Sequence, residues 1–343
     1  MRKLRVCIYG GPSLDVLPAA FIEAFAYAIL GEPDTVIVTG GLMATPGQSF
    51  ATTTDVAALA GARRYARDHG LDVADCFEAW IPDAAIDSAR HQTGKVRMTA
   101  AEGVRIVPVA GRTALGRRLA MVRGVDVVVT ISGHVHTEVL IEQALEVGTP
   151  VLPIPFVGGD SKRLLKTHRP QIAARFAAGA LDTCLATVKA TLETEPQVAA
   201  AAVVDLLRTA KVGRCLVLMP FGGDDDLRFH GIIAPAVEAH MFTVRLDRLP
   251  SSGQIAAAFA REMGDAEAVI VDITSLNDNV MYEIGYAHAL GITPLLFARD
   301  QVRIDALPIY LRTLNVPLVD DARLPELIDQ HLMQVKRRRG LRG

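Results

Sequence analysis

Residues 125–147 read Val125-Asp126-Val127-Val128-Val129-Thr130-Ile131-Ser132-Gly133-His134-Val135-His136-Thr137-Glu138-Val139-Leu140-Ile141-Glu142-Gln143-Ala144-Leu145-Glu146-Val147, and how this stretch divides decides the fold. Val127-Val128-Val129 shows no alternation of apolar and polar residues, the mark of a strand buried on both faces. Ser132-Gly133-His134 is a glycine turn. From Thr137 to Val147 the apolar positions follow a helical period. A strand covered on both faces belongs to a parallel sheet with helices on each side, so strand, turn and helix form one unit of a doubly wound α/β fold.

Similar units lie to either side. Strands are predicted at Leu4 to Tyr9, Thr35 to Thr39, Val104 to Val109 and Pro150 to Pro153, with helices at Ala19 to Leu30, Asp55 to His69 and Thr113 to Arg123. Residues 186–214 break the alternation. They hold Glu193-Thr194-Glu195-Pro196 and then the Ala-rich helical stretch Val198 to Thr209, and read as a helical connector. A second α/β series follows, with strands at Cys215 to Met219, Thr243 to Leu246, Ala268 to Asp272 and Pro294 to Phe297. Helices at Ile232 to Ala239, Ile255 to Met263 and Val280 to Leu290 separate them. The expectation is two doubly wound (Rossmann-like or flavodoxin-like) parallel-sheet domains, at residues 1–185 and 212–335, with a connector over 186–211 and a basic tail over 336–343.

The 343 residues are 50% hydrophobic and 22% charged, with a net charge of −2, so the chain can bury sizeable cores and carries no broad basic field for nucleic acid. The run Lys336 to Arg339 reads as a solvated tail. Cys7, Cys76, Cys184 and Cys215 are scattered and form no CxxC pair, so neither a disulfide framework nor a zinc site is indicated. The N-terminus lacks the pattern of a signal peptide, and no apolar run reaches membrane-spanning length; a cytoplasmic protein is expected. His134 and His136 alternate on an extended segment with no third ligand at a suitable spacing. They read as loop histidines near a phosphate, and neither a metal nor a cofactor is expected.

In the first half, Gly10-Gly11-Pro12, Gly40-Gly41-Leu42-Met43, Ser132-Gly133-His134 and Gly158-Gly159-Asp160 follow strands. In an open parallel sheet such loops converge on one crevice, where glycine backbone and helix N-termini suit a phosphate. Arg117-Arg118-Leu119-Ala120-Met121, followed by Asp126-Val127-Val128-Val129, resembles a stretch of the LOG phosphoribohydrolases, members of the SLOG superfamily of nucleotide-binding Rossmann-like domains. Gly40 to Met43 is similar to that family's glycine turn, and Gly133 to Thr137 stands where it carries a "PGGxGTxxE" loop. The resemblance implies ligand contacts at Gly10, Gly11, Gly41, Arg117, Gly133, Thr137 and Gly159. It departs at Val139 and Leu140, which occupy the family's acidic positions. An apolar side chain there gives no stabilisation to a ribosyl cation, so this half is expected to bind a ligand without hydrolysing it.

In the second half, Asp272-Ile273-Thr274-Ser275-Leu276-Asn277-Asp278-Asn279-Val280-Met281-Tyr282-Glu283-Ile284-Gly285-Tyr286-Ala287 joins a strand end to a helix. A glutamate one turn into that helix, between apolar Met281 and Ile284, departs from a solvated helical glutamate. The stretch looks like the "NxNVxYELGYA" signature of nucleoside 2-deoxyribosyltransferases and their TIR-like relatives. Leu218 to Gly222 and Val244 to Asp247 resemble two further pieces of that family.

The resemblance implies that Glu283 attacks or stabilises the anomeric carbon of an N-glycoside. Asn277 stands where the transferases use an aspartate, which puts easy base exchange in doubt. It also implies that Asp272 and Asn279 shape the loop or meet sugar hydroxyls, and that Phe221, Arg228, Asp247 and Tyr282 contact substrate. The expected function is hydrolysis or transfer at a nucleoside, nucleotide or NAD-like N-glycosidic bond. A nucleotide-derived ligand in the first half would regulate it, as in a prokaryotic immunity or signalling effector. The alternatives are a non-catalytic nucleotide sensor and, less favoured, a LOG-type phosphoribohydrolase. Small-molecule nucleosides or nucleotides are the expected partners, with no nucleic acid, no membrane and assembly as a homo-oligomer.

Overall fold

The structure is a computed structural model that describes residues 4–12, 14–44, 52–82, 95–109, 114–211, 213–245, 252–274, 278–299, 309–312 and 316–338. The chain separates into two compact units, one running to Ala210 and the other from Lys211 to Arg337. No described helix is long and apolar enough to cross a membrane.

The first unit begins with β1 (Leu4–Gly10), α1 (Val16–Leu30), β2 (Thr35–Thr39), β3 (Leu42–Ala44), α2 (Thr54–His69) and α3 (Val73–Cys76). It continues through β4 (Phe77–Pro82), β5 (Val96–Arg97), β6 (Arg105–Val109), α4 (Ala114–Gly124), β7 (Val127–Ile131), α5 (His136–Val147) and β8 (Val151–Ile154). Four helices close it: α6 (Gly159–Thr167), α7 (Arg169–Ala173), α8 (Ala180–Thr191) and α9 (Pro196–Arg208). Six strands form one parallel sheet in the order β6-β4-β2-β1-β7-β8, while β3 and β5 pair antiparallel. The chain starts in the middle and winds outward in both directions, so the switch point lies between β1 and β7.

Every residue of β2 and β7 is buried, as the unbroken apolar runs predict. The sequence reading had no strand at β4, where Glu78 and Trp80 interrupt the pattern. Glu78 is nonetheless buried, because Arg5 Nε at 3.1 Å and Trp80 Nε1 at 2.9 Å satisfy its carboxylate. The expected connector is also placed differently. α9 packs against α1 and α8, burying Ala199, Ala200, Val203, Val204, Leu206 and Leu207. Its apolar face needs a core to cover it, and the first unit supplies that core.

The second unit runs β9 (Arg214–Leu218), α10 (Gly223–Arg228), α11 (Ala234–Glu238), β10 (Phe242–Val244), α12 (Ser252–Asp265), β11 (Ala268–Asp272), α13 (Asp278–Ala289), β12 (Leu295–Phe297), α14 (Ile309–Arg312) and α15 (Leu324–Arg338). The parallel order is β10-β9-β11-β12, with its switch point between β9 and β11. Side chains alternate across β9: Leu216 and Leu218 join a core with Ile284 and Ala287 of α13, while Cys215 and Val217 face a second core with Ile328 and Leu332 of α15. Both units are therefore parallel α/β sheets covered on two faces, as expected. α15 carries the start of the basic run, Lys336 to Arg338, within a helix instead of a tail.

Candidate functional site

At the first unit's switch point a cleft of about 130 Å³ opens beyond the strand C-termini. Gly10 and Pro12 follow β1, Gly40 and Leu42 follow β2, and His134 and Thr137 follow β7; all line it. Arg97 enters from β5, Arg117 and Arg118 from α4, Asp55 from the first turn of α2, and Lys95 and His136 complete the wall.

The three arginines are 8%, 3% and 5% exposed in that order. Arg97 and Arg117 each give one Nη1 hydrogen bond to the Gly40 carbonyl, at 2.8 and 2.9 Å. A Cβ at position 40 would stand 2.6 Å from Arg117 Nη1, so glycine there admits the guanidinium. The Arg118 side chain makes no hydrogen bond or ion pair among the described residues, and the Nε atoms of all three arginines are buried without an acceptor.

Asp55 is the single carboxylate among the lining residues. Its Oδ2 accepts the Leu42 N–H at 2.6 Å. Burial pushes its pKa up, against the opposing pull of the Leu42 N–H, Arg97 and Arg117. Burial, followed by Arg117, lowers Arg97 to about 10, which leaves it charged at neutral pH. Lys95 and His136 are also held below their ordinary values, by burial first and then by the neighbouring cations. Burial dominates each of these shifts, and the neighbouring cations add to it at Arg97, Lys95 and His136 and oppose it at Asp55.

The glycines serve the loops more than the cleft. Of the residues expected to contact a ligand, Gly10, Arg117 and Thr137 line it, while Gly11, Gly41, Gly133 and Gly159 do not. Gly11 accepts the Thr54 hydroxyl at 3.0 Å, and Gly41 pairs with Met98 at 2.8 Å. A Cβ on Gly159 would fall 2.4 Å from the Gly133 carbonyl, where the loops after β7 and β8 close on each other. The β7 loop is strained, with Ser132 at φ 55° and Val135 at φ 53°. Such backbone costs about 1–3 kcal/mol per residue and clusters at functional sites. Leu140 is fully buried in the core. Glu138 donates its N–H to Asp160 at 3.1 Å, its carboxylate accepts Arg163 Nη2 at 2.7 Å, and it does not line the cleft.

Sequence reasoning missed Lys95, Arg97, Asp55 and the separate standing of Arg118. Arg97 lies on a two-residue strand with no periodicity to read, and pairing with β3 is what carries it to the cleft.

In the second unit, Glu283 lies on α13 and is half-buried. No hydrogen bond or ion pair reaches it among the described residues. Burial alone pushes its carboxyl up to about 7. Tyr282 beside it is exposed and leans on Phe259 and Tyr286, with ring centroids 6.1 Å from each. Asn279 is exposed at the start of α13.

Asp272 is fully buried at the end of β11, with Oδ1 accepting the Thr274 N–H at 2.9 Å and Oδ2 accepting Arg299 Nε at 3.0 Å. Arg299 also reaches Asp225 at 2.8 Å. Arg228 is committed to Asp225 and, through two bonds, to Asp321. Phe221 is half-exposed beneath the Arg245 guanidinium, 4.5 Å from its ring centre. Asn277 and Asp247 lie outside the described residues. Asp272 and Arg228 are thus drawn into a network that ties the loops after β9, β11 and β12 together, and Glu283 stands apart from it. Among the described residues, no three His, Cys, Asp or Glu side chains gather as a metal site.

No protein-family model matches the chain, and no curated protein matches it. Among solved structures it is similar to the molybdenum cofactor binding protein of the phototrophic bacterium Rippkaea orientalis, at 18% identity over 50% of this chain and 88% of that one, with a TM-score of 0.36. It is also similar to the molybdenum cofactor carrier protein of Chlamydomonas reinhardtii, at 16% identity over 60% and 99% of the two chains, TM-score 0.35. DNA processing protein A of Helicobacter pylori aligns at 15% identity over 50% and 74%, TM-score 0.34. Likeness this distant carries no chemistry to the present chain.

Proposed function

We propose that the first unit is a receptor for a phosphate-bearing nucleotide. The observation that carries this reading is the trio of buried arginines at the switch point, with unpaired Nε atoms and one facing carboxylate. Buried guanidinium N–H groups that lack acceptors are costly, and a phosphate supplies both the charge and the pairs of oxygens they require. Calorimetry of the full chain against a panel of nucleotides tests it. Binding is expected, and Arg117→Ala should weaken it roughly tenfold or more, the worth of one charged hydrogen bond. A silent panel would refute the receptor. With Leu140 in the core and Glu138 held by Arg163, this cleft is not proposed to hydrolyse its ligand.

A second reading concerns the second unit, favoured by the half-buried carboxyl of Glu283, which has no partner among the described residues. In it, Glu283 attacks the anomeric carbon of a nucleoside, nucleotide or NAD-like N-glycoside. The carbon–nitrogen bond breaks, the base leaves with a proton taken from solvent, and water or another base then displaces the ester. The nucleotide in the first unit would regulate this step, as in a prokaryotic signalling or immunity effector. Its opposite is a sensor in which nothing turns over. Screening nucleosides, nucleotides and NAD for released free base decides between the two.

A further inference from the structure

We propose that the cleft is built for a diphosphate, so that its ligand is a nucleoside diphosphate instead of a monophosphate. This rests on the nucleotide reading of the same cleft. Among the described residues four cationic side chains line it, Lys95, Arg97, Arg117 and Arg118, and Asp55 is the one carboxylate facing them. With Asp55 ionised these residues carry three positive charges in excess, and its protonation, which burial favours, only widens that excess. A monophosphate dianion leaves one of them unmatched, whereas a terminal diphosphate near neutral pH carries the full complement.

The donors also form two groups. Arg97 and Arg117 converge on the Gly40 carbonyl, and their remaining N–H groups serve one phosphate. Arg118 follows Arg117 on α4 and so departs about 100° around the helix, yet it lines the same cleft. It is 95% buried by its 5% exposure, shares no acceptor with the other two and has no described partner. A buried guanidinium whose Nε has no acceptor among the described residues is placed for an anion that the other pair does not hold.

Calorimetry on the full-length chain, with phosphate, pyrophosphate, AMP and ADP as probes, tests the inference. Pyrophosphate should bind about tenfold or more tightly than phosphate, and ADP than AMP, as one added bidentate arginine contact provides. The affinity for ADP should also fall more steeply with salt than that for AMP, because more counter-ions exchange. Arg118→Gln should bring the ADP-to-AMP ratio towards one, whereas Arg117→Ala should weaken both. The salt comparison on the unaltered protein stands even if Arg118→Gln does not fold. AMP binding as tightly as ADP, with equal salt slopes, would overturn the diphosphate site and leave the nucleotide receptor intact. Preference for pyrophosphate with no nucleotide bound would support the diphosphate site and overturn the nucleotide reading. No binding of any probe would overturn both.

Discussion

Burial holds the Glu283 carboxyl up at about 7, so its charge changes within the neutral range. Its folded value, about 7, lies above the ordinary 4.5, so the folded state holds the proton more tightly than the unfolded chain. The stability this contributes is full below about pH 4.5 and is lost as pH rises through about 7. Glu283→Gln keeps the neutral shape at every pH. It should therefore raise the melting temperature at pH 8 and leave it unchanged at pH 4, by scanning calorimetry at the two values. If Glu283 is a nucleophile, base release from a confirmed substrate should rise with pH through about 7, since the ionised form attacks. The Gln variant should lose on the order of a hundredfold or more in rate. Wild-type turnover in that variant would remove Glu283 from the chemistry. In sequence Glu283 stands out as a glutamate between apolar neighbours, and the structure places it half-buried with a raised pKa. Asp272 holds the Thr274 N–H and Arg299 Nε, contacts of the loop-shaping kind that its place at the strand end suggests.

Among the elements, α1 shows what packing asks of sequence. It is apolar nearly all round because α2 and α9 both pack on it. Gly61 sets the closeness of α2: a Cβ there would come within 2.2 Å of the Glu23 carbonyl and 2.8 Å of Ala26 Cβ. Gly61→Val should push the two helices apart and cost about 1–3 kcal/mol, read as a lower urea midpoint for the first unit's transition. The strained loop before α5 makes the opposite case. Val135 sits at φ 53° and is exposed, so Val135→Gly should relieve strain without opening a cavity. Ligand affinity should then fall while stability is kept or rises, because His134 and His136 on either side lose a fixed backbone. Unchanged affinity would mean that the strain has no bearing on the cleft. Most elements were legible from periodicity, and β4 was not, because a buried glutamate answered by Arg5 and Trp80 looks in sequence like a solvent-facing one.

For the molecule as a whole, the division after Ala210 has a practical consequence. Cutting at 185 removes α9 and uncovers the apolar side of α1 that it buries. A fragment of residues 1–210 should melt cooperatively and bind the same nucleotides as the full chain. A fragment of residues 1–185 should aggregate or melt at lower temperature, as light scattering and calorimetry on both would record. Equal behaviour of the two fragments would return α9 to the role of a connector.

The sequence by itself determined two parallel α/β sheets, because unbroken valine and isoleucine runs followed by glycine turns and amphipathic stretches have few other stable arrangements. It also determined the candidate carboxylate, because the oddity of Glu283 is local. The tertiary structure alone decided the arginine cleft. Arg97, Arg117 and Arg118 come from a short strand paired with the distant β3 and from a helix about twenty residues further on, and Asp55 comes from a third element. Their meaning lies in being buried together without enough counter-charge, and burial of charge is a property of the assembled fold that no local pattern encodes.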